Sequence, residues 1–235
     1  MVIIMEYIII ILIILITLLI LAIIYEFNLQ KLKEFAKSEE KQFNDIMDKY
    51  PSNIEICKYI LNKLQNNNVK IEEDKEQKTC LYIAVTNKII IADVKQSYTR
   101  VQTICHECIH SIQSKKILLF NFIFSNIYLL YFFITLLLGI LGKVPNKTLF
   151  LSLMLLFSYI FYFIRSYLED DAMIKAEYLA KEYMEEVKIS TDDEIERIVN
   201  SYKKLNDIGI KMTNFQLFAE TIIKIIIIYI IFAIR

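Results

Sequence analysis

Four stretches without a charged side chain constrain this sequence more than any other feature. The first lies between Glu6 and Glu26 and reads YIIIILIILITLLILAIIY, 19 residues in which Thr17 is the only clearly polar side chain. The second runs from Ile117 to Gly142, with Asn121 and Asn126 as mild polar interruptions. The third, Thr148–Ile164, is short but adequate. A helix of about 20 apolar residues crosses the hydrocarbon core of a bilayer. The fourth, Ile225–Ile234, reaches that length only if extended back to Phe215, which takes in Glu220 and Lys224. Those two charges would have to face protein or snorkel to the interface. An interfacial or buried helix is the alternative for this last run.

Between the second and third runs, GILGKVPNK holds two of the three glycines and one of the two prolines, which predicts a tight turn between antiparallel helices. The start before the first run, MVIIME, has no basic residue of the kind that opens a secretory leader, so an uncleaved anchor is expected. Basic residues then orient the spans. Lys31, Lys33, Lys37, Lys41, Lys115 and Lys116 flank one side, and Arg165 opens a lysine-rich stretch after the third span. Residues 26–116 and 165–214 are therefore expected on the cytoplasmic side of a multi-pass plasma-membrane protein, and the 142–147 turn outside.

The expected fold is mainly α, with about four transmembrane helices and a small antiparallel sheet. Its segments are an anchor at 1–25, a cytoplasmic part at 26–116, a spanning hairpin at 117–164, cytoplasmic helices at 165–214, and a transmembrane or interfacial helix at 215–235. Pro51, Ser52 and Asn53 end one charged helix and cap another at 54–66. VKIEE, TCLYIAV and KIIIAD are strand-like, with TNK at 86–88 as a hairpin turn. A helix starting near Ser97 is expected to run straight into the second span, and STDDEIERIV carries an N-cap signal for a later helix. The 27 basic and 27 acidic residues cancel, which gives no argument for a nucleic-acid partner. The four cysteines, Cys57, Cys80, Cys105 and Cys108, read as reduced thiols in a cytosolic setting.

The chain has only two histidines, and both lie in CHECIHSIQ: His106 and His110, with Glu107 between them. Residues four apart share one face of a helix, so both imidazoles can reach one ion. Glu107 points to the side of that pair. There it could take the proton of a water whose pKa a bound Zn²⁺ lowers to about 7, then pass it to a leaving amine. Two histidines placed at random in this chain would form H-E-x-x-H about once in 1,000 trials, so chance is a weak explanation.

A catalytic zinc needs a third protein ligand. Cys105 and Cys108 spell C-x-x-C, but Cys105 sits about 100° around the helix from His106 and does not converge on both imidazoles. Helix packing is the expected role for both thiols. LEDDAM follows the third span on the side where the motif helix enters the second, so Glu169, Asp170 or Asp171 could complete the site.

HECIHSIQ (106–113) and LEDDAM (168–173) together resemble the YugP-like bacterial membrane-bound neutral zinc metallopeptidases, within the wider H-E-x-x-H glutamate-zincin group. The resemblance covers the order of anchor, small strands, motif helix, spans and acidic motif. It implies His106 and His110 as zinc ligands and Glu107 as the catalytic glutamate. Glu169 matches the first acidic position of the later motif, and Asp171 with Ala172 its D-A pair, as second shell or alternative ligand. Ile109 stands where that family has glycine. The implied activity is zinc-dependent endoproteolysis of a protein or peptide substrate by a membrane-embedded enzyme, with KIIIAD offering a strand edge for an extended peptide. One competing reading is a non-catalytic membrane protein with a structural or sensing metal site. Another is a redox or metal sensor built on Cys105 and Cys108. Neither substrate identity nor oligomeric state is legible.

Overall fold

The computed structural model describes residues 2–25, 29–74, 76–77, 79–92 and 97–234. These form seven helices and three strands: α1 (Val2–Ile24), α2 (Leu29–Met47), α3 (Asn53–Lys63), β1 (Lys70–Asp74), β2 (Leu81–Ile83), β3 (Lys88–Ala92), α4 (Arg100–Ile112), α5 (Lys115–Ile140), α6 (Lys147–Val187) and α7 (Asp192–Ile234). Whether α1 and α2 are continuous lies outside the described residues, since 26–28 fall between them. The chain divides into two compact units. One comprises Met1–Phe27, Phe120–Tyr167 and Lys211–Arg235; the other comprises Asn28–Leu119 and Leu168–Ile210.

The first unit is built on length and apolarity. Of the described helices, α5, α6 and α7 are long and apolar enough to cross a membrane, whereas the fully described apolar part of α1, Ile11–Ile24, is shorter. Among the described residues three helices are of that kind, and the side chains of part of α1, the expected first span, lie outside them. Tyr128, Phe132, Met154, Ile228 and Phe232 pack together inside this unit. Gly139 admits a close approach here, since a Cβ would lie 2.8 Å from Ile231 Cγ2. The turn after α5 forms as GILGKVPNK predicts. Gly142 takes φ +64, the Lys143 N–H reaches the Leu138 carbonyl and the Gly142 N–H that of Gly139. This is the left-handed glycine ending that satisfies a helix's last carbonyls.

The second unit holds the sheet and the motif helix. The strands lie in the order β1-β3-β2, with β1 parallel to β3 and β2 antiparallel to it. The expected all-antiparallel sheet is therefore a mixed one. The reason lies in β3: KIIIA is apolar almost throughout, suits burial on both faces, and takes the centre. The more polar KIEED of β1 and the three-residue β2 go to the edges. Asn87, at φ +48, closes the β2–β3 turn, accepts from the Tyr82 hydroxyl at 2.9 Å and donates to the Asn68 carbonyl at 3.0 Å.

Local signals set the helix starts. Ser52 and Glu55 form a reciprocal capping box at α3. Thr191 and Glu194 exchange hydrogen bonds in the same way at α7, where the sequence marks an N-cap. The α4 helix does not run into α5 as expected. Gln113 leaves the helix with φ −63 and ψ 162, and α5 starts afresh at Lys115.

Arg100, on the first turn of α4, is fully buried. It donates to the carbonyls of Met47 (2.6 Å), Tyr50 (2.8 Å) and Pro51 (2.8 Å) and to Asn53 Oδ1 (2.8 Å). One side chain thus satisfies the carbonyls left open where α2 ends and α3 begins. Arg100→Met keeps the apolar stem and removes all four bonds. Buried acceptors left without a donor cost about 1–3 kcal/mol each, so the variant should lose at least about 3 kcal/mol of stability. Thermal unfolding of the detergent-solubilised chain measures this; a midpoint equal to the parent's would contradict it.

Candidate metal centre

The α4 helix lies against β2, β3 and α3 in the second unit, and its inner face is apolar: Val101, Ile104, Cys105 and Cys108 are fully buried. That packing fixes the rotation of the helix and so the direction of its other face. His106 and His110 emerge there one turn apart, with their rings edge to face at 4.6 Å between centroids. Their Nε2 atoms stand 3.0 Å apart. Glu169, from α6, closes the group, with Oε2 at 3.5 Å from His106 Nε2 and Oε1 at 3.8 Å from His110 Nε2. One donor atom from each of the three lies within 4.8 Å of the others, so the group could hold a metal ion. Donors placed tetrahedrally at the usual zinc–nitrogen distance stand about 3.3 Å from one another, and the separations here bracket that value. Two imidazoles and a carboxylate suit a borderline divalent cation and leave a fourth position for water or substrate.

Gln113 determines which nitrogen His110 presents. Its Nε2 donates to the Leu168 carbonyl and to Asp171 Oδ2, each at 2.9 Å. Its Oε1 is therefore the atom facing His110 Nδ1, at 2.9 Å. An acceptor there requires the proton on Nδ1, which leaves the Nε2 lone pair aimed at His106 and Glu169. Asp171 is held in turn by Lys175 at 2.6 Å. Burial disfavours the Asp171 charge, but the hydrogen bonds from Lys175 and Gln113 outweigh it, and its pKa lies below the ordinary value. The structure thus separates the acidic candidates. Glu169 faces the histidines, Asp171 supports one of them through Gln113, and Asp170 is outside the three-donor group.

Glu107 is buried, and its Oε2 accepts from the Tyr82 backbone N–H of β2 at 2.6 Å. This corrects the expected strand edge. KIIIA is the central strand and has a partner on each side, whereas β2 is the edge strand nearer the motif helix. Its outward Tyr82 amide is already given to Glu107.

The cysteines pack, as their spacing suggests. All four are buried free thiols, with Cys57 Sγ and Cys108 Sγ 3.8 Å apart. Burial pushes the Cys80 thiol up to about 11 and raises Cys105 well above its ordinary value; the contact with Cys57, and burial after it, does the same for Cys108. Thiols held protonated are poor metal ligands and poor nucleophiles.

No family model matches this chain, and no match is found among curated proteins or solved structures. The site's interpretation therefore rests on its own chemistry.

Sequence reasoning missed two groups, Gln113 and the Tyr82 amide. The first had a signal: a glutamine three residues after His110 falls on the ligand face of the same helix. The second had none, because a backbone donor is placed by tertiary packing. Outer partners of metal-bound histidines are commonly worth a factor of about 10–100 in metal affinity. Gln113→Leu should lower affinity by that factor, read by competition with a zinc-binding dye, with its helical circular dichroism unchanged. Unaltered affinity would remove Gln113 from the site.

Proposed function

We propose that this chain is a membrane-embedded zinc metallopeptidase, with His106, His110 and Glu169 as metal ligands and Glu107 as general base. The observation that carries the reading is the convergence of three donors from α4 and α6 at metal-ligand separations, beside a glutamate at the H-E-x-x-H position. Zinc, when bound, polarises a peptide carbonyl and lowers the pKa of water. Glu107 takes the proton from the attacking water and delivers it to the leaving nitrogen. Gln113 and Asp171 hold His110 in its ligating tautomer.

Membrane insertion is supported by the three long apolar helices and by outward apolar side chains such as Leu130, Leu137 and Tyr159, each more than half exposed. With α1 as a fourth span, the positive-inside bias puts the site in the cytoplasm and the 142–147 turn outside. Labelling of a cysteine placed in that turn from the cytoplasmic side would overturn the orientation.

One observation favours a second reading, a structural or sensing metal site. Glu107 is buried and already bonded to an amide, as a structural carboxylate would be. Metal analysis and proteolysis of an unfolded model protein separate the two. For a peptidase, His106→Ala and Glu169→Ala lose the metal, while Glu107→Gln keeps it and loses at least about 100-fold in cleavage rate. For a non-catalytic site, purified parent and Glu107→Gln bind metal alike and neither cleaves. Full zinc content in Glu169→Ala would remove the third ligand from the proposal.

A further inference from the structure

The part of α7 within the first unit presents an unusual outward face. From Met212 to Ile234 the exposed residues are Gln216, Glu220, Ile223, Ile227, Ile230 and Ile234. Their spacing is 4, 3, 4, 3 and 4, a mean of 3.6 residues, so all six lie on one face of the helix. Isoleucines alone would say little, because any lipid-facing surface is apolar. Gln216 and Glu220 are what mark the stripe, since polar side chains in a spanning helix ordinarily face protein.

Depth sharpens the point. Lys224 Nζ lies 4.7 Å from the ring centroid of Tyr128. Tyr128 is 11 residues after Ile117 and 14 before Gly142. At a helical rise of 1.5 Å per residue it is about 16 Å or more from either end of that run, near mid-span. Lys224 shares this level, and among the described residues no carboxylate lies within ion-pair distance of it. Glu220, one turn earlier, accepts from Gln216 at 3.2 Å and stays exposed. Opposite charges one turn apart, not bonded to each other, border the same stripe.

We propose that this stripe joins two copies of the chain, with Glu220 of each copy facing Lys224 of the other. The inference rests on the reading of α7 as a span. Copies inserted in one membrane share an orientation, so their α7 helices run parallel, and a two-fold axis along the membrane normal brings equal levels together. The pair then bridges one turn, about 6 Å of height, within reach of a lysine stem. The self-complementary charges select a second copy over an unrelated helix.

Disulfide cross-linking in native membranes, with copper-phenanthroline as catalyst and oxygen as oxidant, tests this; the parent chain is the blank. Ile227→Cys and Ile230→Cys should give covalent dimers, and Leu137→Cys on α5 should stay at the blank. Adding Glu220→Gln or Glu220→Lys to Ile227→Cys should lower the dimer towards the blank. Combining Glu220→Lys with Lys224→Glu should restore it, because the exchange keeps the pairing. Equal cross-linking at Leu137→Cys, or none of these charge effects, would overturn the proposal. Labelling of Ile227→Cys by a membrane-impermeant maleimide would instead overturn the spanning reading beneath it. Protection from that reagent without dimers would defeat the pairing alone.

Discussion

The side chain of Gln113 ties the motif helix to the acidic stretch of α6, and the geometry of the site depends on that link. It ends α4, fixes the His110 tautomer, and grips both a backbone carbonyl and Asp171 of α6. Two histidines one turn apart can make only half of a catalytic zinc site, whatever helix they occupy. The rest must come from a distant segment held at the right height. An amide suits the task because it accepts on one side and donates twice on the other.

Burial decides the roles of the other reactive groups in this unit. Four thiols near a metal site invite a redox or thiolate reading. Desolvation disfavours the thiolate at Cys80 and Cys105, and the Cys57 contact does so at Cys108, so all three behave as small apolar side chains. Arg100 is the opposite case, a buried cation with no carboxylate within ion-pair distance among the described residues. Three carbonyls and an amide oxygen surround it, and the sum of those dipoles does the work of a counter-ion.

What was legible in the sequence was local. The capping boxes at Ser52–Glu55 and Thr191–Glu194 are four-residue patterns whose physics is complete within the segment. The turn at Gly142 and the long apolar runs are equally self-contained. The strand pairing was not, because TCLYIAV and KIIIAD form a hairpin as read, while the parallel pairing of β1 depends on which strand can tolerate burial on both faces. Glu169 and Asp171 illustrate a further limit. They stand about 200° apart around a helix, so only one can face a given pair of imidazoles, and the rotation of α6 that selects Glu169 is set by packing. Ala172, Ala176 and Ala180, all fully buried, form the face that seats it.

On the proposed reading of α7 as a span, the same accounting applies to charge in the other unit. An unpaired lysine at the centre of a span costs about 2.5–3.5 kcal/mol on insertion scales, and an acidic residue costs a similar amount. A cation over a tyrosine ring recovers about 1–2 kcal/mol when desolvated, so Tyr128 offsets only part of the Lys224 penalty. Glu220 has one hydrogen bond from Gln216, itself exposed on the stripe. Both residues therefore remain costly in an isolated chain, and an arrangement that brings the two charges together removes the cost of each at once. Mutual neutralisation between copies does this without adding a further polar group to the membrane. A single chain could have met the same requirement by turning Lys224 back to Glu220 on its own helix, and the Tyr128 contact is what holds it away.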